Sequence, residues 1–127
     1  MNTNFTITNK ARGKIPRVFF GKIKDAVLGK DYELSLVFIG GATSKKLNNT
    51  YRGKNKPTNI LSFPLDKKSG EIFITPKVAE KEAKDFGRKF SNFIAFLFIH
   101  GLVHLKGHGH GDTMEMLEIK LRKQFGI

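Results

Sequence analysis

The chain has 127 residues and no cysteine, which excludes a disulfide framework and every metal site that uses thiolate ligands. Its length is typical of one domain, and we expect residues 1–127 to form a single unit. The formal net charge of +12 favours a polyanionic partner through electrostatic steering and counterion release. Most of that charge lies in residues 1–68, with 14 basic against 4 acidic residues, whereas residues 69–127 have 9 against 7. Lysine outnumbers arginine 18 to 5, so an AT-rich coding bias with a solvated basic surface is the alternative explanation.

The sequence shows neither a secretory leader nor a membrane span. The first residues lack a charged segment followed by an apolar one. The longest apolar run, residues 93–99, is far shorter than the roughly 20 residues that a spanning helix needs. We therefore expect a soluble, cytoplasmic protein.

The first half of the chain predicts two strands and two helices in alternation. Alternating polarity predicts a short strand over residues 4–8, and a second apolar run predicts a strand over 32–39. Apolar residues at helical spacing predict a helix over 14–28, with Pro16 in its first turn and Gly29 as its C-cap. A short polar helix over 43–51 and a basic loop over 52–57 follow.

The second half predicts two short strands and then three helices. The strands are expected at 59–65 and 71–75 and the helices at 77–87, 90–105 and 112–124, the last with Asp112 as its N-cap. The helix over 90–105 is apolar on all sides, as expected for a helix buried at the centre of a fold. We predict an α+β fold in which a small mixed β-sheet packs with helices around this central helix.

All four histidines of the chain lie in the short segment HGLVHLKGHGH, residues 100–110. His100 and His104 are four residues apart, so a helix places both on one face, where they can bind one metal ion. Gly107 can take a positive φ angle and let the chain fold back, which returns His110 to the same point. Three neutral imidazoles leave a fourth coordination position open, the pattern of a catalytic zinc site. One zinc ion per chain is therefore predicted.

The spacing of these histidines is that of the metzincin helix, but one residue differs in a way that affects the chemistry. Metzincin proteases have a glutamate directly after the first histidine, and it acts as the general base for peptide hydrolysis. Gly101 occupies that position here, which weakens a protease interpretation. The role of His108 stays open: a fourth ligand, a group that supports a ligand, or a solvent-facing side chain.

Two segments of the sequence resemble the YbeY family of bacterial rRNA-maturation endoribonucleases. Residues 100–110 are similar to the family motif H-G-x-L-H-L-x-G-Y-D-H, with Val103, His108 and Gly109 as departures. Residues 47–64, LNNTYRGKNKPTNILSFP, look like L-N-x-x-Y-R-x-K-x-x-P-T-D-V-L-S-F-P, with asparagine for aspartate at 59. Residues 70–72 and 114–118 match further family positions, so the resemblance extends from about residue 34 to 121. Gly109 in place of aspartate removes a carboxylate that could orient a histidine.

The resemblance implies a function and a set of site residues. It implies that His100, His104 and His110 bind zinc and that Arg52 is the functional arginine, facing the RNA near the metal. The implied function is zinc-dependent cleavage of single-stranded RNA in rRNA maturation, including 16S 3′-end processing, and ribosome quality control. It implies rRNA and small-subunit components as partners.

The sequence also suggests roles for several polar and charged residues, and it leaves two alternatives to the endoribonuclease function. We expect four lysines to hold the RNA backbone electrostatically: Lys45, Lys46, Lys54 and Lys56. Ser62 is expected to be structural, Thr58 and Asn59 to cap or turn the chain, and Glu71 is a weak candidate for the general base. The alternatives are a metal-bearing ribosome-assembly factor without significant turnover, and a metallohydrolase that acts on peptides or another substrate.

Overall fold

The fold combines a four-stranded sheet with five helices in the part of the chain that the structure describes. The structure is a computed structural model, and it describes residues 4–107 and 111–127. The strands are β1 (Phe5–Asn9), β2 (Glu33–Phe38), β3 (Ile60–Asp66) and β4 (Ser69–Ile74). The helices are α1 (Phe20–Leu28), α2 (Gly41–Arg52), α3 (Pro76–Asp85), α4 (Phe90–Leu105) and α5 (Asp112–Phe125). None of these described helices is both long enough and apolar enough to cross a membrane.

The sheet is mixed and has the strand order β1-β2-β4-β3. β1 and β2 pair in parallel, as do β2 and β4, whereas β3 and β4 form an antiparallel pair. Strand β3 therefore lies at an edge. The α+β class and the mixed sheet that the sequence predicted are confirmed.

Helix α4 lies at the centre of the core, as its apolar sequence predicted. Ten of its sixteen residues are buried, and it contacts α1, α3, α5, β3 and β4. A helix buried on so many sides can leave polar groups only where a neighbour is missing. His100 and His104 are the half-buried positions near its carboxyl end.

Gly101 is the point at which α4 approaches the sheet most closely. A Cβ atom built on Gly101 would lie 2.9 Å from the Ile60 side chain, 2.9 Å from the Ser62 hydroxyl and 3.1 Å from the Ile72 side chain. Such distances are shorter than van der Waals contact, so the helix can reach this depth only with glycine. Packing therefore requires glycine at position 101, where metzincin proteases have their catalytic glutamate.

Predictions at the ends of α1, α2 and α5 need correction. Helix α1 begins at Phe20 instead of residue 14, because Ile15 and Val18 pack against the core from a non-helical segment. Arg52 is the last residue of α2, not part of the loop, and Gly53 ends that helix with φ +68°. Gly111, not Asp112, is the N-cap of α5, and the Asp112 carboxylate lies in the first turn, where the helix dipole favours negative charge.

Gly101→Ala is expected to lower the free energy of unfolding by about 1–3 kcal/mol, because the added methyl group overpacks the contact between α4 and β3. Gly41→Ala is the matched control, since Gly41 is also helical and a Cβ atom there meets no other atom within 4 Å. Urea unfolding of both variants beside the wild type checks this. Equal changes for the two variants would contradict the close packing.

Candidate active site

A cleft of about 870 Å³ lies beside the carboxyl-terminal half of α4. Residues of β3, of the loop before it and of the end of α2 form one wall, and residues of α4 and α5 form the other. The lining residues from the α2–β3 side are Arg52, Lys54, Asn59, Ile60, Ser62 and Pro64. Those from the helical side are Phe96, Leu97, His100, His104, Leu105, Glu115, Glu118 and Arg122. The cleft thus contains two imidazoles, cationic groups from both walls and two carboxylates from one wall.

His100 and His104 converge in this cleft as their spacing predicted. Their Nε2 atoms lie 3.2 Å apart, and the two ring planes are nearly perpendicular, at 82°. Two nitrogens bound at about 2.0–2.1 Å to one tetrahedral zinc are about 3.3–3.4 Å apart by trigonometry. The observed separation therefore fits two ligands of a single zinc ion.

The third predicted ligand lies outside the described residues. His110, like His108, falls in residues 108–110, so its position relative to the imidazole pair is not part of the structure. Within residues 4–107 and 111–127, no group of three potential ligand side chains could hold a metal ion. Gly107, the residue after the C-cap Lys106 of α4, has the positive φ that the sequence predicted, +98°. The described residues supply two of the three predicted ligands.

Glu118 is a site residue that the sequence analysis did not single out. Its carboxylate Oε1 accepts a hydrogen bond of 2.8 Å from Nδ1 of His100, and the residue is buried. A proton on Nδ1 leaves the Nε2 lone pair facing His104, which is the tautomer that a metal ligand needs. Glu118 is therefore placed to fix the orientation of His100. The family match at residues 114–118 was the available signal for it.

Arg52 is positioned by hydrogen bonds between α2 and the loop that follows it. The Ser44 hydroxyl bonds both the N–H and the carbonyl of Thr58, at 2.9 and 3.0 Å. The Asn48 side-chain amide donates to the Lys56 carbonyl at 2.9 Å. Ser44 and Asn48 are buried, so these bonds fix the loop against α2 and bring its last residue to the cleft. Arg52 itself is exposed at the mouth.

The predicted lysines and polar residues are divided between the cleft and the surface. Lys54 lines the cleft; Lys45, Lys46 and Lys56 are exposed but do not line it. Ser62 lines the cleft beside Gly101. Asn59 also lines it, and its amide donates to Glu82 of α3 at 2.8 Å, a structural role.

Glu71 is not in the cleft. It precedes the buried Ile72 on β4, and successive side chains of a strand point to opposite faces of the sheet. Ile72 faces α4, so Glu71 faces away from it. The carboxylates that do line the cleft are Glu115 and Glu118, both on α5.

Phe96 and Arg122 are two further lining residues that the sequence analysis missed. Phe96 lies one helical turn before His100 on α4, and Arg122 lies one turn after Glu118 on α5. The guanidinium carbon of Arg122 is 4.8 Å from the centre of the Phe96 ring. The i and i+4 spacing was visible in the sequence, but the pairing of the two helices was not.

Comparison with known proteins identifies the relationship. The profile of the family described as Endoribonuclease YbeY matches residues 2–125. The chain belongs to the YbeY family. Proteins named Endoribonuclease YbeY from Rhizobium etli and Francisella tularensis are 36% and 37% identical over 109 and 111 residues, 75% of this chain. Those alignments span 64% and 68% of the two relatives, so the chain covers about two thirds of their length.

A solved structure shows the same fold. The solution structure of TM1509 from Thermotoga maritima is similar with a TM-score of 0.67 and 23% sequence identity. The similarity covers 96% of this YbeY-family chain and 89% of the Thermotoga chain. The sheet and the helices around α4 therefore recur in an independent structure.

Glu118→Ala is expected to weaken zinc binding about 10- to 100-fold, because His100 loses the carboxylate that fixes its tautomer and ring orientation. Zinc affinity can be measured by competition with a chromophoric chelator. Glu115→Ala is the control on the same helix, and we expect it to bind zinc like the wild type. Equal affinities for all three proteins would exclude the orienting role of Glu118.

Proposed function

We propose that this protein is a zinc-dependent endoribonuclease that cuts single-stranded RNA in the cytoplasm during rRNA maturation. The observation that carries the proposal is the convergence of two imidazole Nε2 atoms 3.2 Å apart in a cleft that also contains Arg52. The relatives named Endoribonuclease YbeY support the same activity. We extend the proposal to 16S 3′-end processing, ribosome quality control and small-subunit partners through the family resemblance.

The residues of the cleft fit zinc, and the other proposed roles, phosphate binding and ligand orientation, belong to different side chains. Zinc held by His100, His104 and His110 would polarise a phosphoryl oxygen and lower the pKa of a bound water to about 7. Arg52 supplies a planar, permanently charged group that can grip a phosphate with two hydrogen bonds and stabilise charge developing on it. Glu118 holds the proton on Nδ1 of His100 and so keeps Nε2 as the metal-facing atom.

The contacts of the two cleft carboxylates favour one of them as the candidate general base. Glu118 is committed to His100, whereas Glu115 is an exposed carboxylate of the same cleft. Glu115 therefore replaces Glu71 as our candidate for the group that accepts a proton. Leu97 and Leu105 give the lining of the cleft an apolar part.

The two other functions are weighed by specific observations. Gly101 is buried against β3, so a glutamate at that position, the protease base, has no room, which argues against peptide hydrolysis. An RNA-binding assembly factor without turnover is the second candidate. The commitment of Glu118 to His100 favours it, because one of the two cleft carboxylates is then unavailable as a base.

Zinc-loaded wild type is expected to cut a 5′-labelled single-stranded RNA, whereas His104→Ala prepared in parallel is expected to leave it intact, because a metal ligand is lost. Denaturing gel electrophoresis of the products provides the measurement. Cutting by both proteins would mean that the activity is not that of this metal site. RNA binding by both without cutting would favour the assembly factor.

Arg52→Ala is expected to lower kcat by about 10²- to 10³-fold, as the loss of one transition-state donor does elsewhere. Zinc content and RNA affinity are expected to stay near those of the wild type. Arg12→Ala is a suitable control, because Arg12 is exposed and lies outside the cleft lining. Single-turnover cleavage and equilibrium binding separate the two effects. Loss of affinity with unchanged kcat would show that Arg52 only binds RNA.

A further inference from the structure

An arginine–aromatic cluster lies at one end of the cleft. The guanidinium carbons of Arg88 and Arg122 lie 4.7 and 4.8 Å from the centre of the Phe96 ring. Phe96 and Arg122 line the cleft, and Arg88 also donates from its guanidinium group to the Asn92 side-chain carbonyl. All three members are half-buried, so each still has an accessible surface. We call Arg88, Phe96 and Arg122 the stacked cluster.

The stacked cluster has a fixed position relative to the imidazoles. Phe96 precedes His100 by four residues on α4, and Arg122 follows Glu118 by four residues on α5. The Phe96–Arg122 contact and the His100–Glu118 hydrogen bond thus both join α4 to α5, one helical turn apart. Four residues of helix span about 6 Å along the axis, so the cluster is next to the histidine pair in the same cleft.

The chemistry of the stacked cluster suits single-stranded RNA. Stacking on Phe96 holds the guanidinium planes in place, which reduces the conformational entropy lost on binding a phosphate. Arginine planes and aromatic rings also stack on exposed bases, and such stacking tolerates any base. Among the described residues, neither Arg88 nor Arg122 forms a salt bridge with a carboxylate. Glu115 and Glu118 face the same cleft from α5, and Glu118 is bound to His100.

The distribution of arginine supports a role in recognition. Lysine outnumbers arginine 18 to 5 in the chain, yet three of the five arginines, Arg52, Arg88 and Arg122, line the cleft or stack on a residue that lines it. Coding bias towards lysine would not place arginine selectively at one cleft. Arginine differs from lysine in binding phosphate, because its planar guanidinium group can donate two hydrogen bonds to one phosphate.

We propose that the stacked cluster is an RNA-binding subsite that takes the phosphate and base adjacent to the phosphate being cut. A single strand crosses the histidine pair between two cationic walls, with Arg52 and Lys54 on the α2–β3 side and Arg122 on the α5 side. This inference rests on the proposed function, because it assigns part of the same substrate to a second region of the same cleft.

Equilibrium binding of a fluorescein-labelled, 12-nucleotide 2′-O-methyl oligouridylate to zinc-loaded protein tests the subsite. Arg122→Met keeps an aliphatic stem on Phe96 but removes the charge and the donors. We expect its Kd to rise about 5- to 150-fold, the range for loss of one stacked contact. The slope of log Kd against log salt concentration should fall by about 0.7, as for one phosphate contact on a single strand.

Two further variants make the test specific. Lys123→Met removes the same charge from the neighbouring exposed residue of α5, which does not line the cleft, and its Kd should change less than twofold. Arg122→Lys keeps the charge without the planar group, so it should retain the wild-type salt slope and still bind several-fold more weakly. If Arg122→Met has a lowered thermal unfolding temperature, the affinity of Arg122→Lys still tests the subsite.

The outcomes separate the subsite from the nuclease function. If Arg122→Met and Arg122→Lys bind like Lys123→Met, the subsite is wrong, whether or not the wild type cuts RNA. If the wild type does not cut RNA but both Arg122 variants lose affinity, the subsite stands and the nuclease proposal fails. Where the wild type cuts, Arg122→Met should raise KM with kcat changed less than twofold. A fall in kcat at unchanged KM would overturn the binding role.

Discussion

The burial of α4 is the constraint on which the rest of the structure depends. This helix is apolar on nearly every side, and the sheet, α1, α3 and α5 all pack against it. Gly101 lets it approach β3 and β4 more closely than any residue with a side chain would. Most of the helix surface is covered, and among the described residues its two histidines line a cleft together with residues of β3 and α5. The cleft is one part of the α4 surface that packing leaves accessible.

The interface between α4 and α5 both holds these helices together and positions residues of the cleft. The His100–Glu118 hydrogen bond and the Arg122–Phe96 contact both join these helices, one helical turn apart. A buried carboxylate needs a partner, and the imidazole N–H provides it. The same bond determines which imidazole nitrogen faces the cleft. The contact that satisfies a buried carboxylate therefore also orients the imidazole that we propose as a metal ligand, and the contact beside it holds an arginine at the cleft.

The two walls of the cleft contribute different kinds of group. The α2–β3 wall supplies Arg52 and Lys54, held by the buried polar residues of α2, whereas α5 supplies both carboxylates and Arg122. Positive charge on both walls suits a polyanion that passes between them. The carboxylates of the lining, Glu115 and Glu118, both lie on α5, where we propose that one orients His100 and the other accepts a proton. This division suits the proposed cleavage of RNA.

The sequence alone determined the features that depend on local spacing. The bounds of α4, the shared face of His100 and His104, and the end of that helix before Gly107 follow from helical periodicity and glycine conformation, and the structure confirms them. The mixed α+β fold was also predicted. The start of α1 was not, because Ile15 and Val18 satisfy their apolar spacing by packing on the core without forming a helix.

Only the tertiary structure showed that Glu118 and Arg122 join the histidines in the cleft. Glu118 lies 18 residues after His100, and Arg122 lies 26 residues after Phe96, with the members of each pair on different helices, so the periodicity of one helix cannot relate them. Their contacts depend on how α5 packs against α4. Arg52 reaches the same cleft through the bonds of Ser44 and Asn48 to the following loop. Local periodicity fixes the face of a helix on which a residue lies, whereas the packing of helices and loops fixes what that face meets.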